Sequence, residues 1–474
     1  MLLSQLSDGG APVEITGLAY DSRAAGPGTL FFCVPGANSD GHDHAPQAVA
    51  AGASALVVER PLNLGVPELQ VASVREAMAP LAARFYGDPS SALRVIGVTG
   101  TNGKTTTTFL IRAILEAAGA QCALLGTVKS VIGGSDREVA RTTPEAIDLQ
   151  ASFAAMRDAG DSACAMEVSS HALALHRVDA IDFAAAVFTN LTQDHLDFHP
   201  TMEDYFAAKR LLFEASPGVS VINADDPYGR RLLADFPDAV SFAIATSADY
   251  GARELRSGIA ESSFIAQTPD GEIEIAMRLP GTFNVSNALA ALATAHRLGV
   301  PVETIAAGLA GATPAPGRFQ ALDEGQPFAV LVDYAHTPDS LENVLRAARA
   351  LTGGRLICVF GCGGDRDRGK RPQMGRISAE LADLTLVTSD NPRSEDPDAI
   401  VAQILAGAQA GGGHTVEAVV ERREAIARAI ALARSGDVVV IAGKGHEQGQ
   451  EFADGRKIPF DDAAVAREQL RGPK

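Results

Sequence analysis

The stretch that most restricts this chain's fold is Arg94-Val-Ile-Gly-Val-Thr, which runs directly into Gly-Thr-Asn-Gly-Lys-Thr-Thr-Thr. An apolar segment of strand length, a glycine-rich turn and the start of a helix make a strand–loop–helix unit. Such units pack into mainly parallel sheets with helices on both faces, and they place ligands at the carboxyl ends of the strands. The chain repeats the theme. Apolar runs at 163–168, 184–188 and 219–222 alternate with helical patterns at 145–159 and 202–213, and a second series follows at 328–332, 356–360, 384–388 and 438–441.

Two breaks punctuate this alternation. Tyr86-Gly-Asp-Pro-Ser-Ser is turn-rich, and Gly311-Ala-Thr-Pro-Ala-Pro-Gly crowds helix-hostile residues together. The expected class is therefore α/β with three domains. Residues 1–88 form a small α/β domain with strands at 29–34 and Ala55–Val58 and a helix at 47–51; residues 89–317 form a central P-loop-type domain with a mainly parallel sheet. Residues 318–474 form a Rossmann-like, doubly wound domain. Three domains also suit a chain of 474 residues, at roughly 150 residues per domain.

Composition narrows the partners. With 46% apolar and 21% charged residues, the chain has the balance of a soluble globular protein, not a disordered or fibrous one. Forty basic against 58 acidic residues give a net charge of −18, and no Lys/Arg cluster offers a phosphate-backbone footprint, so nucleic acid is not an expected partner. That surplus of acid repels anionic ligands at long range; any phosphate compound must be gripped by local amides and cations. The five cysteines are scattered and read as reduced core thiols, Cys358 and Cys362 alone being near neighbours. The start, MLLSQLSDGG, lacks a basic region ahead of an apolar one, and no run approaches the ~20 apolar residues of a membrane span. A cytoplasmic monomer is the expectation.

The chemistry concentrates in Val98-Thr-Gly-Thr-Asn-Gly-Lys-Thr-Thr-Thr. Backbone N–H groups of Gly100, Thr101, Asn102, Gly103 and Thr106 can converge on phosphate oxygens, and the helix N-terminus adds partial positive charge. Lys104 can reach the outer phosphates, and the Thr105 hydroxyl can bind Mg²⁺. The strict GxxxxGK[ST] pattern is not met, because Val98 stands where its first glycine belongs. Glu167 ends an apolar strand, where a carboxylate calls for either a cation or an arginine. His195 lies between Asp194 and Asp197 at a strand end, the setting of a metal-ligating imidazole and equally of a structural one. Lys209 sits in an amphipathic helix and is either a solvated lysine or a buried one.

TGTNGKT resembles the phosphate loop of the Mur ligases, ATP-dependent amide-forming enzymes of peptidoglycan synthesis. Glu167-Val-Ser-Ser-His, Asp194-His-Leu-Asp, Ala208-Lys-Arg-Leu-Leu-Phe and Asp333-Tyr-Ala-His-Thr-Pro-Asp stand in the family's order, so the resemblance covers nearly the whole chain. Arg141-Thr-Thr-Pro-Glu, the loop Gly361-Cys-Gly-Gly-Asp-Arg-Asp-Arg-Gly-Lys-Arg-Pro, Asp390-Asn-Pro-Arg and Gly443-Lys-Gly-His-Glu resemble the member that adds the third amino acid. Its Asp-Asn-Pro-Arg form is associated with meso-2,6-diaminopimelate; lysine-adding relatives carry a different tetrapeptide.

The resemblance implies a set of roles. Thr105, Glu167 and His195 would hold Mg²⁺, and Lys209 would be carbamylated to N6-carboxylysine, with Lys104, Glu167, His195 and Lys209 as the catalytic set. ATP would be held by the loop together with Asn287, Arg318, Asp333 and His336. Ser22, Asn38, Thr142, Thr143, Ser169 and Arg177 would grip UDP-N-acetylmuramoyl-L-Ala-D-Glu, although ordinary turn and capping roles fit the first four as well. Leu175 stands where relatives often have Gln. Arg366, Asp390, Asn391, Pro392, Arg393, Gly443 and Glu447 would receive diaminopimelate, Arg393 as a fork for a carboxylate and Glu447 for an ammonium. A folylpolyglutamate synthase and a P-loop switch or motor are the competing readings.

Overall fold

The computed structural model describes every residue except 8, 9, 37, 38, 140, 216, 217, 412, 413, 473 and 474. Packing divides the chain into two compact units, each drawn from separated stretches. One comprises Met1–Thr99, Gly119–Val187 and Ala207–Ser220; the other comprises Gly100–Ala118, Phe188–Phe206 and Val221–Lys474.

The first unit opens with a four-stranded sheet whose strands, Gly17–Ala19, Thr29–Phe32, Ala55–Val58 and Glu68–Gln70, lie side by side in sequence order and all parallel. Its central strands read TLFF and ALVV and are buried throughout. Alternate residues enter opposite cores: Leu30, Phe32, Ala55 and Val57 pack with Met78 and Leu81, while Phe31, Leu56 and Val58 pack with Ala45 and Ala48. The helix Val74–Tyr86 starts at Ser73, whose side chain accepts from the Glu76 N–H, and stops at Gly87 in the left-handed region. The remaining strands of the unit run in the order Phe183–Phe188, Arg94–Thr99, Ala163–Glu167, Cys122–Leu125, Ser130–Ile132 and Ser135–Arg137. Ala163–Glu167 is parallel to both its neighbours, and Ser130–Ile132 pairs antiparallel with both Cys122–Leu125 and Ser135–Arg137.

In the second unit, the helix Lys104–Ala117 packs against Thr282–Arg297 and Val302–Gly311. Val219–Asn223, Val240–Ala243 and Tyr250–Ser257 are parallel neighbours, continued by the antiparallel strands Ser262–Thr268 and Gly271–Met277. The sequence reading contains no strands at 250–277. Polar or charged residues interrupt these segments and many of their positions are partly exposed, so the apolar runs that reveal buried strands are missing.

The C-terminal sheet has the order Gln320–Leu322, Ala329–Asp333, Val438–Ala442, Leu356–Phe360, Leu384–Val387 and Thr415–Ala418, with only the first strand antiparallel. Leu331, Cys358, Val387 and Val440 face one core, and Val330, Ile357, Leu386 and Val439 face the other. Four neighbouring strands thus end at Asp333, Ala442, Phe360 and Val387 on one edge. All five cysteines are buried, and among the described residues no helix is long and apolar enough to cross a membrane.

Candidate active site

The glycine-rich loop is shaped by the chain segment after Phe188. Thr101 N–H donates to Asn190 O (2.9 Å), Asn102 N–H to Asn190 Oδ1 (2.9 Å), and Thr189 Oγ1 to Asn102 O (2.6 Å). Gly103 stands at the helix N-cap with φ at 86° and no side-chain cap, and the start of a helix carries partial positive charge that suits an anion. A Cβ at Gly103 would lie 2.4 Å from Asn287 Oδ1, so the Asn287 side chain lies directly against the loop. Lys104 Nζ donates to Gly100 O (2.9 Å) and Thr101 O (2.8 Å), folded back over its own loop. Thr105 and Thr106 are buried.

At the edge where the four strands end lies a cavity of about 260 Å³, lined among others by His195, His336, Arg366, Asp390, Asn391, Arg393, Gly443 and Glu447. Eight of the residues singled out in the sequence, drawn from across some 250 positions, therefore meet in one place. Pro392 does not line the cavity; its carbonyl abuts Gly364. Arg393 takes φ of 50°, its Nη1 donating to Gly364 O (2.7 Å) and its Nε to Glu451 Oε2 (3.2 Å). Gly443 is required by shape: its φ is 112°, and a Cβ would lie 2.6 Å from Asp390 Oδ2.

Two charged residues outside the expected set support this edge. Lys444, wholly buried, donates from Nζ to Asn391 Oδ1 (2.9 Å) and Glu447 Oε2 (2.9 Å). Arg422 is wholly buried too and grips Asp462 through Nε (2.8 Å) and Nη2 (2.7 Å), while Nη2 also reaches Ala442 O (2.9 Å) and Nη1 Ser389 O (3.5 Å). Those carbonyls stand one residue before Gly443 and Asp390. Lys444 lay inside a quoted motif; for Arg422 and Asp462 no local signal exists, because a buried pair looks like any surface Arg and Asp in one dimension.

His336 Nδ1 is 2.8 Å from Tyr334 O; since a carbonyl only accepts, Nδ1 carries the proton and Nε2 keeps a lone pair. Burial and the Lys370 ammonium push this imidazole below its ordinary range. Asp194 is raised by burial, but His195 and His336 outweigh that and hold it below the usual carboxylate range. Its Oδ1 accepts from the His195 N–H (2.8 Å), and its Oδ2 lies 3.4 Å from His195 Nε2. Arg318 stacks 4.6 Å over the Tyr334 ring. Asp333 accepts from the N–H groups of Phe319 and Ala335, and burial raises it to about 6 against the pull of Arg318.

In the first unit, Glu167 is 1% exposed, and its partners include the Thr127 N–H (2.8 Å) and hydroxyl (3.1 Å). Thr127 was not foreseen. Thr142 reaches the same hydroxyl (3.0 Å), and Thr143 donates to Glu167 O (2.9 Å) and accepts from Ser169 N (3.1 Å). Neither threonine caps the following helix, whose N-cap position is Glu145; their hydroxyls tie the Thr142–Thr143 turn to the strand end instead. Arg177 donates to Thr143 O (3.2 Å) and pairs with Glu145, which also receives Arg75 and Arg141. Lys209 is 1% exposed, so the solvated-lysine alternative does not hold. Ser22 donates to Gln47 Oε1 (3.0 Å) apart from this group, and Asn38 lies outside the described residues. Among the described residues no group of three or more His, Cys, Asp or Glu side chains is placed to hold a metal.

Comparisons with known proteins match the chain to the Mur ligase family's catalytic domain over residues 14–86, the Mur ligase middle domain over 98–295 and the Mur ligase glutamate ligase domain over 317–445. It is 50% identical to the UDP-N-acetylmuramoyl-L-alanyl-D-glutamate–2,6-diaminopimelate ligase of Syntrophomonas wolfei, across 99% of this chain and 98% of that protein. It is 48% identical to the like-named protein of Geobacillus thermodenitrificans, across 98% and 96%. A solved structure of a ligase of that name superposes with a TM-score of 0.71 at 33% identity, covering 99% of both chains. The MurF ligase of Thermotoga maritima, solved with ADP, shares the fold at 19% identity, with a TM-score of 0.65 and 96% of each chain covered.

Proposed function

Because the chain belongs to the Mur ligase family, we propose that it joins meso-2,6-diaminopimelate to the D-glutamyl γ-carboxylate of UDP-N-acetylmuramoyl-L-Ala-D-Glu, with ATP, as a cytoplasmic step of peptidoglycan precursor synthesis. The observation that carries this reading is the cavity at the strand ends, where Arg393, Asn391 and Glu447 meet beside His336. An amino acid with two zwitterionic ends needs a fork for carboxylate and an acceptor for ammonium, and the cavity supplies both.

In the first step a γ-carboxylate oxygen attacks the γ-phosphorus of ATP, the bond to the β-phosphate oxygen breaks, and ADP leaves. Lys104 swings from its carbonyl partners to the outer phosphates and neutralises charge there. In the second step the amine of diaminopimelate attacks the acyl carbon of the acyl phosphate. Its proton passes to His336 Nε2, and phosphate leaves as the amide forms. Burial of that imidazole keeps it neutral and able to accept.

Mg²⁺, when bound, would neutralise the phosphate oxygens during transfer. Thr105, Glu167 and His195 are the residues assigned to hold it; a hydroxyl, a carboxylate and an imidazole suit an ion that takes its other ligands from phosphates and water. Lys209, 1% exposed, is proposed to add CO₂ at Nζ with loss of a proton, giving N6-carboxylysine. Activity lost in Lys209→Ala and restored by a short carboxylic acid checks that step. Residues 1–88, including Ser22 and Asn38, are assigned to the uridine nucleotide, 89–317 to ATP and metal, and 318–474 to the amino acid, in a monomer.

The decisive assay follows ADP release with ATP, the muramoyl dipeptide and either diaminopimelate or lysine. Turnover should require the dipeptide and strongly prefer diaminopimelate. Comparable kcat/KM with lysine, or ADP release without an amine acceptor, defeats the proposal.

A further inference from the structure

We propose that Lys444 is a positioning residue for amino-acid specificity: it holds the amide of Asn391 and the carboxylate of Glu447 in the one arrangement that accepts a substrate ammonium. The inference rests on the ligase reading above. Lys444 is 0% exposed, so its ammonium cannot itself meet a ligand. Its two bonds, 2.9 Å to Asn391 Oδ1 and 2.9 Å to Glu447 Oε2, both go to side chains that line the cavity.

The geometry leaves Asn391 no freedom. Its Oδ1 accepts a second donor, the Glu451 N–H at 3.0 Å, and an amide rotated by half a turn would aim its NH₂ at two donors. Nδ2 is thereby directed at Glu447 Oε2 (2.8 Å). Glu447 thus receives both of these bonds on Oε2, and Oε1 is the oxygen presented to a ligand. The backbone is built for this placement, since Gly443 and Gly445 on either side of Lys444 take φ of 112° and 54° and fold the chain sharply around it. Without the ammonium, Asn391 Oδ1 keeps only the Glu451 N–H, and Glu447 Oε2 keeps only the Asn391 amide, its charge no longer balanced.

The test compares Lys444→Met with the wild-type chain in the ADP-release assay. The KM for diaminopimelate should rise roughly 30-fold or more, as for truncating one partner of a buried charged hydrogen bond. The KM values for ATP and for the muramoyl dipeptide should stay within about twofold, because a positioning defect is confined to the ligand it positions. Glu447→Gln combined with Lys444→Met should be no worse than Lys444→Met alone. An unchanged KM for diaminopimelate, or a parallel rise in all three, overturns the inference. If Lys444→Met does not fold, Lys444→Gln, which retains a donor for Asn391, takes its place; failure of both to fold assigns Lys444 a structural role and also overturns it. A wild-type chain that rejects diaminopimelate sinks the ligase reading instead, and the same comparison is then made with the amine it does use.

Discussion

The glycine-rich loop and the strand-end cavity are built by opposite means. The loop, Gly100–Thr106, is seven consecutive residues that offer backbone N–H groups and one lysine, and its form is enforced by neighbours packed against it, Asn190 and Asn287 above all. The cavity is assembled from four strand ends, and what it offers are side chains whose positions depend on buried charges behind them, Lys444 and the Arg422–Asp462 pair. A backbone site tolerates change in its surroundings as long as the turn survives. A side-chain site inherits every defect of its supports.

The largest expected effect breaks the loop side of this contrast. Lys104→Ala should lower kcat by about a thousandfold or more, since charge neutralisation on the transferred phosphoryl group is most of what the protein contributes there; retained ADP release under saturating substrates would remove Lys104 from the mechanism. Next comes the cavity's support. Arg422→Met leaves Asp462 buried and uncompensated, which costs about 3–5 kcal/mol in denaturant unfolding. Arg422→Met with Asp462→Leu should recover much of that stability yet keep a raised KM for diaminopimelate, because Ser389 O and Ala442 O have lost their shared donor. Full recovery of KM in the double variant would make the pair a matter of stability alone.

Arg393→Lys should raise the KM for diaminopimelate about 10- to 100-fold while changing the KM for lysine far less, because an ammonium cannot reproduce the guanidinium fork. Equal losses on the two amines contradict the assignment. Gly103→Ala is a smaller perturbation of the loop: a side chain at φ of 86° and 2.4 Å from Asn287 Oδ1 costs about 1–2 kcal/mol and should appear as a lower Tm with a raised KM for ATP.

The smallest effect is in pH. His336 must be neutral to accept a proton, and its lowered pKa keeps it neutral as pH falls through the ordinary imidazole range. The acid limb of kcat therefore lies below that range, and in Lys370→Met, which removes a charge that lowers it, the limb should move up. A limb that stays in place in this variant excludes His336 as the base.

Much of the architecture was legible in one dimension. Wholly buried strands such as Leu356–Phe360 and Val438–Ala442 are unbroken apolar runs. The strands at 250–277 escaped because they are partly exposed and their apolar residues are interrupted by polar or charged ones. The glycine-rich loop's form was legible for a sharper reason: glycines next to a strand encode backbone conformation locally, and Gly103 takes φ of 86° at the helix start.

The cavity stands differently. Its residue types could be named from the motifs, but whether Arg393 is clamped by Glu451, which face of Asn391 meets Glu447, and that Lys209 and Lys444 are buried depend on partners far away along the chain. The sequence by itself determined the α/β layering, the glycine-rich loop between strand and helix and the family's ordered motifs, because those are written in neighbouring residues. Only the tertiary structure decided which charges are buried and against what, because desolvation and pairing are properties of three-dimensional surroundings that no local pattern contains.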